Sequence, residues 1–206
     1  MDGHPAPPPR PREDALFEVA DEQGGYFTAQ QAREAGYSAQ LQAYHAKGSH
    51  WQRVSAGIYR LRHYPVPPHP QYVELSLWSR NREGTPQAVI GYETALALHE
   101  LSDLMPSRIH LIVPPGFRKP PPRGVVLHTG IVPPGDLEHA SGFQLTAPLR
   151  TLVDLAGSDL SPEHLHRALH EALNRGVIRR STLERRLSAE KLDQARRRLL
   201  VALEAI

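Results

Sequence analysis

The residues best able to do chemistry lie between Ser38 and Arg62. Gln40 carries an amide that can bond adenine at two edges in a major groove, whereas Ser38, Lys47, Arg53, Arg60 and Arg62 are suited to phosphate. Leu41 and His45 stand four residues apart and predict an inward helix face. That leaves Gln40, Ala43, Tyr44 and Lys47 outward. Charge is divided within this part of the chain. Residues 12–34 hold two basic and six acidic side chains, and residues 35–64 hold four basic ones and no acid. A polyanion would be met by the later half, with the first helix turned away. Four cations make few phosphate contacts, so useful affinity asks for several copies on a repeated site.

Other constellations point to less. Arg150 and Asp154, four apart on a helix, form a pair best read as an ion pair anchoring the helix start. Arg179, Arg180 and the run Arg196, Arg197, Arg198 belong to a C-terminal region, 171–206, with nine basic and five acidic residues. Such a face is either a second surface for DNA or a partner, or a solvated helix side. His166 and His170 share a helix face, but no Glu follows His166 in the H-E-x-x-H manner and no third ligand is nominated. Glu93 and His99 do not share a face. Neither a catalytic residue, a metal nor a cofactor is expected.

The elements that would position these residues follow from caps and breakers. Leu16, Val19 and Ala20 mark a first amphipathic helix. Tyr26 and Phe27 form a short strand, Thr28 caps a helix that Gly36 breaks, and Ser38 caps a second that Gly48 ends in the left-handed conformation. Trp51–Val54 and Ile58–Leu61 are β-formers around a three-residue loop ending at Gly57. Helix, turn, helix and hairpin in this order give a winged helix-turn-helix at 12–64, after a disordered tail at 1–11. A proline-rich linker at 65–70 then leads to a second domain at 71–206. There the β-branched runs 108–113 and 125–128 around a long loop predict a small antiparallel sheet, with Phe143–Thr146 as a further strand. Pro148 and Ser161-Pro162 start helices, Ser181 caps a short one, and 189–206 forms a last helix with Leu192, Ala195, Leu199 and Ala202 on one side. The fold class is α+β.

The composition bounds the function classes. The 206 residues include twenty prolines, carry a formal net charge of +2 and contain no cysteine, and the last of these excludes disulfides, thiolate catalysis and cysteine-ligated zinc. No apolar run suits a signal peptide or a membrane span, so a cytoplasmic protein is expected.

Four stretches in this order resemble the AbiEi family of antitoxins from type IV toxin–antitoxin, or abortive-infection, systems. They are GGYFTAQQAREAG at 24–36, RVSAGIYRL at 53–61, IGYETALALHELSD at 90–103 and LTAPLRTLVDLA at 145–156. The resemblance implies an N-terminal winged helix that represses its own operon by binding promoter DNA. It implies a C-terminal domain that neutralises a nucleotidyltransferase-like toxin in phage defence, commonly without a stable complex. Arg150 and Asp154 fall in its C-terminal signature. Relatives usually carry several arginines on the recognition helix, where this chain has Gln40, Gln42 and Tyr44 with Lys47. Relatives that continue into a nuclease carry an Asp followed by Glu-x-Lys, which is absent here. The alternative function is a free-standing winged-helix transcriptional regulator with a ligand-binding or dimerising C-terminal domain.

Overall fold

A computed structural model describes residues 11–48, 50–189 and 193–206; the expected tail, apart from Pro11, and Leu192 lie outside the described residues. The chain divides into two compact units. One runs to Pro86 and takes in Ser141–Phe143, and the other comprises Gln87–Ala140 and Gln144–Ile206.

In the first unit, α1 (Glu13–Glu22) is followed by β1 (Tyr26–Thr28), α2 (Ala29–Glu34), α3 (Ala39–Lys47), β2 (Trp51–Ser55), β3 (Ile58–Leu61) and α4 (Pro70–Trp78). The strands form an antiparallel sheet in the order β1-β3-β2, with Tyr26 opposite Arg60 and Trp51 opposite Leu61. Thr28 starts α2 with a capping box: its hydroxyl accepts from Gln31 N at 3.2 Å, and Gln31 Oε1 accepts from Thr28 N at 2.8 Å. Such a cap contributes about 1 kcal/mol. Gly36, at φ +91°, closes α2, and Ser38 Oγ accepts from Leu41 N to open α3. The expected left-handed ending at Gly48 is not formed: that residue has φ −81° and ψ −161°, an extended conformation open to any residue. The hairpin loop is also tighter than expected. Ser55 pairs with Ile58, leaving Ala56 and Gly57 to turn the chain, with Gly57 at φ +72°. Phe27 is fully buried at the centre, edge-on to Trp51 at 4.8 Å, among Leu16, Ala20, Ala32 and Tyr37. Burying one such ring is worth roughly 1.5–3 kcal/mol. Helix α4, which comes after the proline segment, packs on β1 and β3 of this unit.

The second unit contains β4 (Val89–Ile90), α5 (Tyr92–Leu98), β5 (Ile109–Val113), β6 (Val125–Thr129), a 3₁₀ turn at Pro134–Asp136, β7 (Leu137–Ala140) and β8 (Phe143–Thr146). Helices α6 (Pro148–Ala156), α7 (Pro162–Asn174), α8 (Arg180–Ala189) and α9 (Asp193–Glu204) complete it. The sheet order is β6-β5-β4-β8-β7. The expected antiparallel sheet is corrected to a mixed one: β5 and β6 run parallel, Ile109 beside Val125 through Val113 beside Thr129, as do β4 and β8. The physical reason is the length of the segment at 114–124. A hairpin needs only a tight turn, whereas eleven residues suffice to return the chain to the start of β5. Leu137–Ala140, which has a single large apolar residue, joins as a strand that its composition does not announce. The core lies where α6 packs on α5, α7 and α9, with Leu96, Leu152, Leu155, Leu165, Leu169 and Leu199 at or near zero exposure. Ala189 closes α8 rather than opening the last helix, and α8 already contains Ser181 as its second residue. Among the described residues, no helix is long and apolar enough to cross a membrane.

Candidate nucleic-acid interface

Helix α3 presents Gln40, Ala43, Tyr44 and Lys47 to solvent, Tyr44 with 69% exposure, and Ser38 is exposed at its start. The inward face departs from expectation at one position. Leu41 is exposed, and Gln42 is buried in its place, so the inward set is Gln42, His45 and Ala46 at three- and four-residue spacing. The cause is hydrogen bonding. Gln42 Nε2 donates to Tyr37 O at 2.9 Å and to Ala29 O at 3.2 Å, which ties α3 to the start of α2 and to the turn between them. A buried amide with its donors used costs little. His45 stacks on Trp51 at 4.9 Å.

The three wing arginines separate by register. Arg53 lies opposite Tyr59, and residues directly opposite share a face of the sheet. Lys47, Ala43, Arg53 and Tyr59 together line a hollow of about 350 Å³ between α3 and the wing. Arg60 is opposite both Tyr26 and Gln52, on the other face, and is buried at 7% exposure. Its Nη2 donates to Tyr64 O, and its guanidinium lies 6.0 Å from the Tyr26 ring centre. Arg60 therefore leaves the candidate interface: strand alternation turns it under the sheet. Arg62 is exposed just beyond β3, with its backbone N–H donating to His50 O. The structure thus brings Gln40, Tyr44, Lys47 and Arg53 to one side, with Ser38 at the helix start and Arg62 outside the set.

In the second unit, Arg150 and Asp154 are paired as expected: Arg150 Nε donates to the two Asp154 oxygens at 2.9 and 3.0 Å. The network extends further than the sequence indicates. Asp136 Oδ2 accepts from Arg150 Nη1 at 3.2 Å and from Arg186 Nη2 at 2.6 Å, joining the 3₁₀ turn to α6 and α8. Burial pushes the Asp154 carboxyl up from the ordinary range, against the downward pull of Arg150. Burial alone would lower Arg150, but the charge of Asp154 and the bonds to both carboxylates outweigh it and hold the guanidinium firmly protonated.

The C-terminal arginines also disperse. Three consecutive residues on a helix point about 100° apart, so Arg196, Arg197 and Arg198 cannot share one face. Arg196 and Arg197 are exposed; Arg198 turns inward, donating to Ala156 O at 3.1 Å and also to Ser158 O and Leu160 O beyond the end of α6. A cation at the carbonyl end of a helix is well placed. Arg179 is exposed, and Arg180 makes an exposed pair with Glu184 at 3.3 Å.

One cluster has no signal as a group in the sequence, because His110 and His128 lie far along the chain from the adjacent Tyr92 and Glu93. Tyr92 stacks on His128 with ring centres 3.7 Å apart, His110 Nδ1 is 3.0 Å from His128 Nε2, and Glu93 Oε2 is 3.1 Å from His110 Nδ1. Tyr92 adopts φ +53°, unusual for a bulky residue. Burial holds His128 below the ordinary imidazole pKa, His110 adds to that, and Glu93 opposes it. His166 and His170 have ring centres 6.3 Å apart; His166 Nδ1 is 3.2 Å from Ala202 O. Among the described residues, no group of three or more side chains could hold a metal ion.

A helix-turn-helix with a β-hairpin wing, joined to a mixed-sheet unit with a helical core, defines an α+β protein of winged-helix type. The second unit identifies it further. Residues 87–203 match the family model described as the AbiEi antitoxin C-terminal domain, and the chain belongs to the AbiEi antitoxin family. The fold is similar to that in the crystal structure of the RV2827C protein from Mycobacterium tuberculosis, with 19% identity, a TM-score of 0.54, and coverage of 97% of this chain and 80% of that one. No curated protein matches the sequence.

Proposed function

We propose that this antitoxin belongs to a type IV toxin–antitoxin pair in phage defence. In this reading it neutralises a nucleotidyltransferase-like toxin in the cytoplasm, without catalysis and without needing a stable complex, and represses its own operon by binding promoter DNA. The observation that carries the reading is an antitoxin-family domain on the same chain as a winged helix whose α3 exposes Gln40, Tyr44 and Lys47. Helix α3 enters the major groove, where Gln40 reads adenine edges and Tyr44 contacts the flank. Lys47, Arg53 and the Ser38 hydroxyl hold phosphate, and Arg62 adds charge at the margin. Arg179, Arg180, Arg196 and Arg197 offer a second basic surface to DNA backbone or to a partner. The proline segment at 65–70 joins the wing to the rest of the chain.

Two measurements on the full chain test the reading separately. Co-expression with a nucleotidyltransferase-like toxin encoded beside it should restore growth, and continued arrest at matched protein levels would refute neutralisation. Titration of the operon promoter should show binding that weakens steeply with salt. An affinity equal to that for unrelated DNA at every salt concentration would refute specific repression.

A further inference from the structure

The first unit holds a cavity of about 600 Å³ that the DNA reading does not use, formed by α1, His45 of α3, the strand ends and the segment after β3. That volume is in the range of sites for small organic molecules. Its floor is aromatic. The buried rings of Tyr37 and Trp51 lie 4.9 Å apart, and His45 stacks on Trp51 with 25° between the planes. Phe17 stands on the α1 wall with 53% exposure. An exposed phenylalanine beside a nearly buried aromatic floor is apolar surface that the described residues leave uncovered.

The facing wall is Tyr64, which is fixed at three points. Its hydroxyl donates to Asp21 Oδ1 at 2.7 Å, and its carbonyl accepts from Arg60. Its ring lies against Gly25, where a Cβ would come within 2.5 Å and where φ is +87°, so no side chain fits. A wall held in place beforehand lowers the ordering cost of binding.

The charge of the lining favours one ligand class. Among the described residues it contains the carboxylates of Glu13 and Asp14 and the imidazoles of His45, His50 and His63, and no lysine or arginine. The field of Glu13 reaches the floor: burial is the main cause that raises Tyr37 and lowers His45, and Glu13 adds to the first shift and opposes the second.

We propose that this pocket binds an organic cation bearing an aromatic ring. The ring packs between Phe17 and the Tyr37–Trp51 floor, and the ammonium group faces Glu13 and Asp14. Aromatic faces and carboxylates are both attractive to an ammonium group and both unattractive to an anion.

Calorimetric titration of the full chain, without DNA, tests this independently of the DNA reading. The probes are phenethylamine, 2-phenylethanol and 3-phenylpropanoate, which share a ring and differ in charge. Phenethylamine should bind saturably to one site, the alcohol about tenfold more weakly and the anion not measurably. Replacing Glu13 by Gln and Asp14 by Asn together should weaken phenethylamine about tenfold while leaving the alcohol unchanged, a split that loss of folding would not produce. Phe17→Ala should weaken both. The proposal is overturned if phenethylamine shows no saturable binding, if the anion binds as well as the cation, or if the double variant binds phenethylamine as the parent does.

Discussion

The two units differ in where their cations are used. The winged-helix unit keeps Lys47 and Arg53 on one open side between α3 and the wing. The second unit commits Arg150, Arg186 and Arg198 to internal bonds with Asp136, Asp154 and the carbonyls at and beyond the end of α6. Both units also split neighbouring arginines. Arg53 stays out and Arg60 goes under the sheet; Arg196 stays out and Arg198 goes under α6. A count of basic residues therefore overstates the surface that either unit can offer to a polyanion.

The contrast is tested most severely at Asp136. Its side chain is 12% exposed and one oxygen serves two guanidinium groups, so Asp136→Ala should destabilise the second unit by about 3 kcal/mol, read from urea unfolding. A loss below about 0.5 kcal/mol would place those arginines with the solvated ones. Next comes the pair on α9. Arg198→Gln should cost roughly 2 kcal/mol because three carbonyls lose a charged donor, while Arg196→Gln should leave the unfolding midpoint unchanged. Equal effects at the two positions would erase the distinction between them.

A third experiment sharpens the comparison within the wing. Replacing Lys47 and Arg53 with Ala should lower the salt slope of promoter binding by about two units, one per phosphate contact. Arg60→Ala should leave the slope unchanged and instead lower the thermal midpoint. A slope that responds to Arg60 alone would reverse the assignment of faces.

The smallest effect concerns pH. His128 is held below 6.5 in the folded chain, so the unfolded chain takes up a proton there first, and stability should fall as pH drops from 6.5 toward the folded value. His128→Gln should flatten that part of the profile, measured as urea midpoint against pH. His45, shifted the same way in the other unit, should keep its own share.

Local chemistry made the first unit largely legible. Thr28 and Ser38 are side-chain caps whose partners lie three residues on, and Gly36 and Gly57 take positive φ where the chain turns. These interactions close within a few residues, so the order of types is enough to place α2, α3 and the hairpin. The second sheet was less legible, because pairing depends on residues far apart. Two β-branched runs look alike whether they pair antiparallel or parallel, and the segment at 114–124 decided it.

By itself, the sequence determined the helix-turn-helix and wing, the outward placement of Gln40, Tyr44 and Lys47, the Arg150–Asp154 pair, and the family. Each rests on spacing that a helix or strand converts directly into a shared face. Only the tertiary structure decided that Gln42 and not Leu41 faces inward, and that Arg60 and Arg198 are internal. The same holds for the second carboxylate at Asp136 and for the meeting of Tyr92, Glu93, His110 and His128. The reason is common to all of these: what a polar side chain does depends on which distant carbonyl, carboxylate or ring lies within bonding distance, and that is set by packing between elements rather than by periodicity within one.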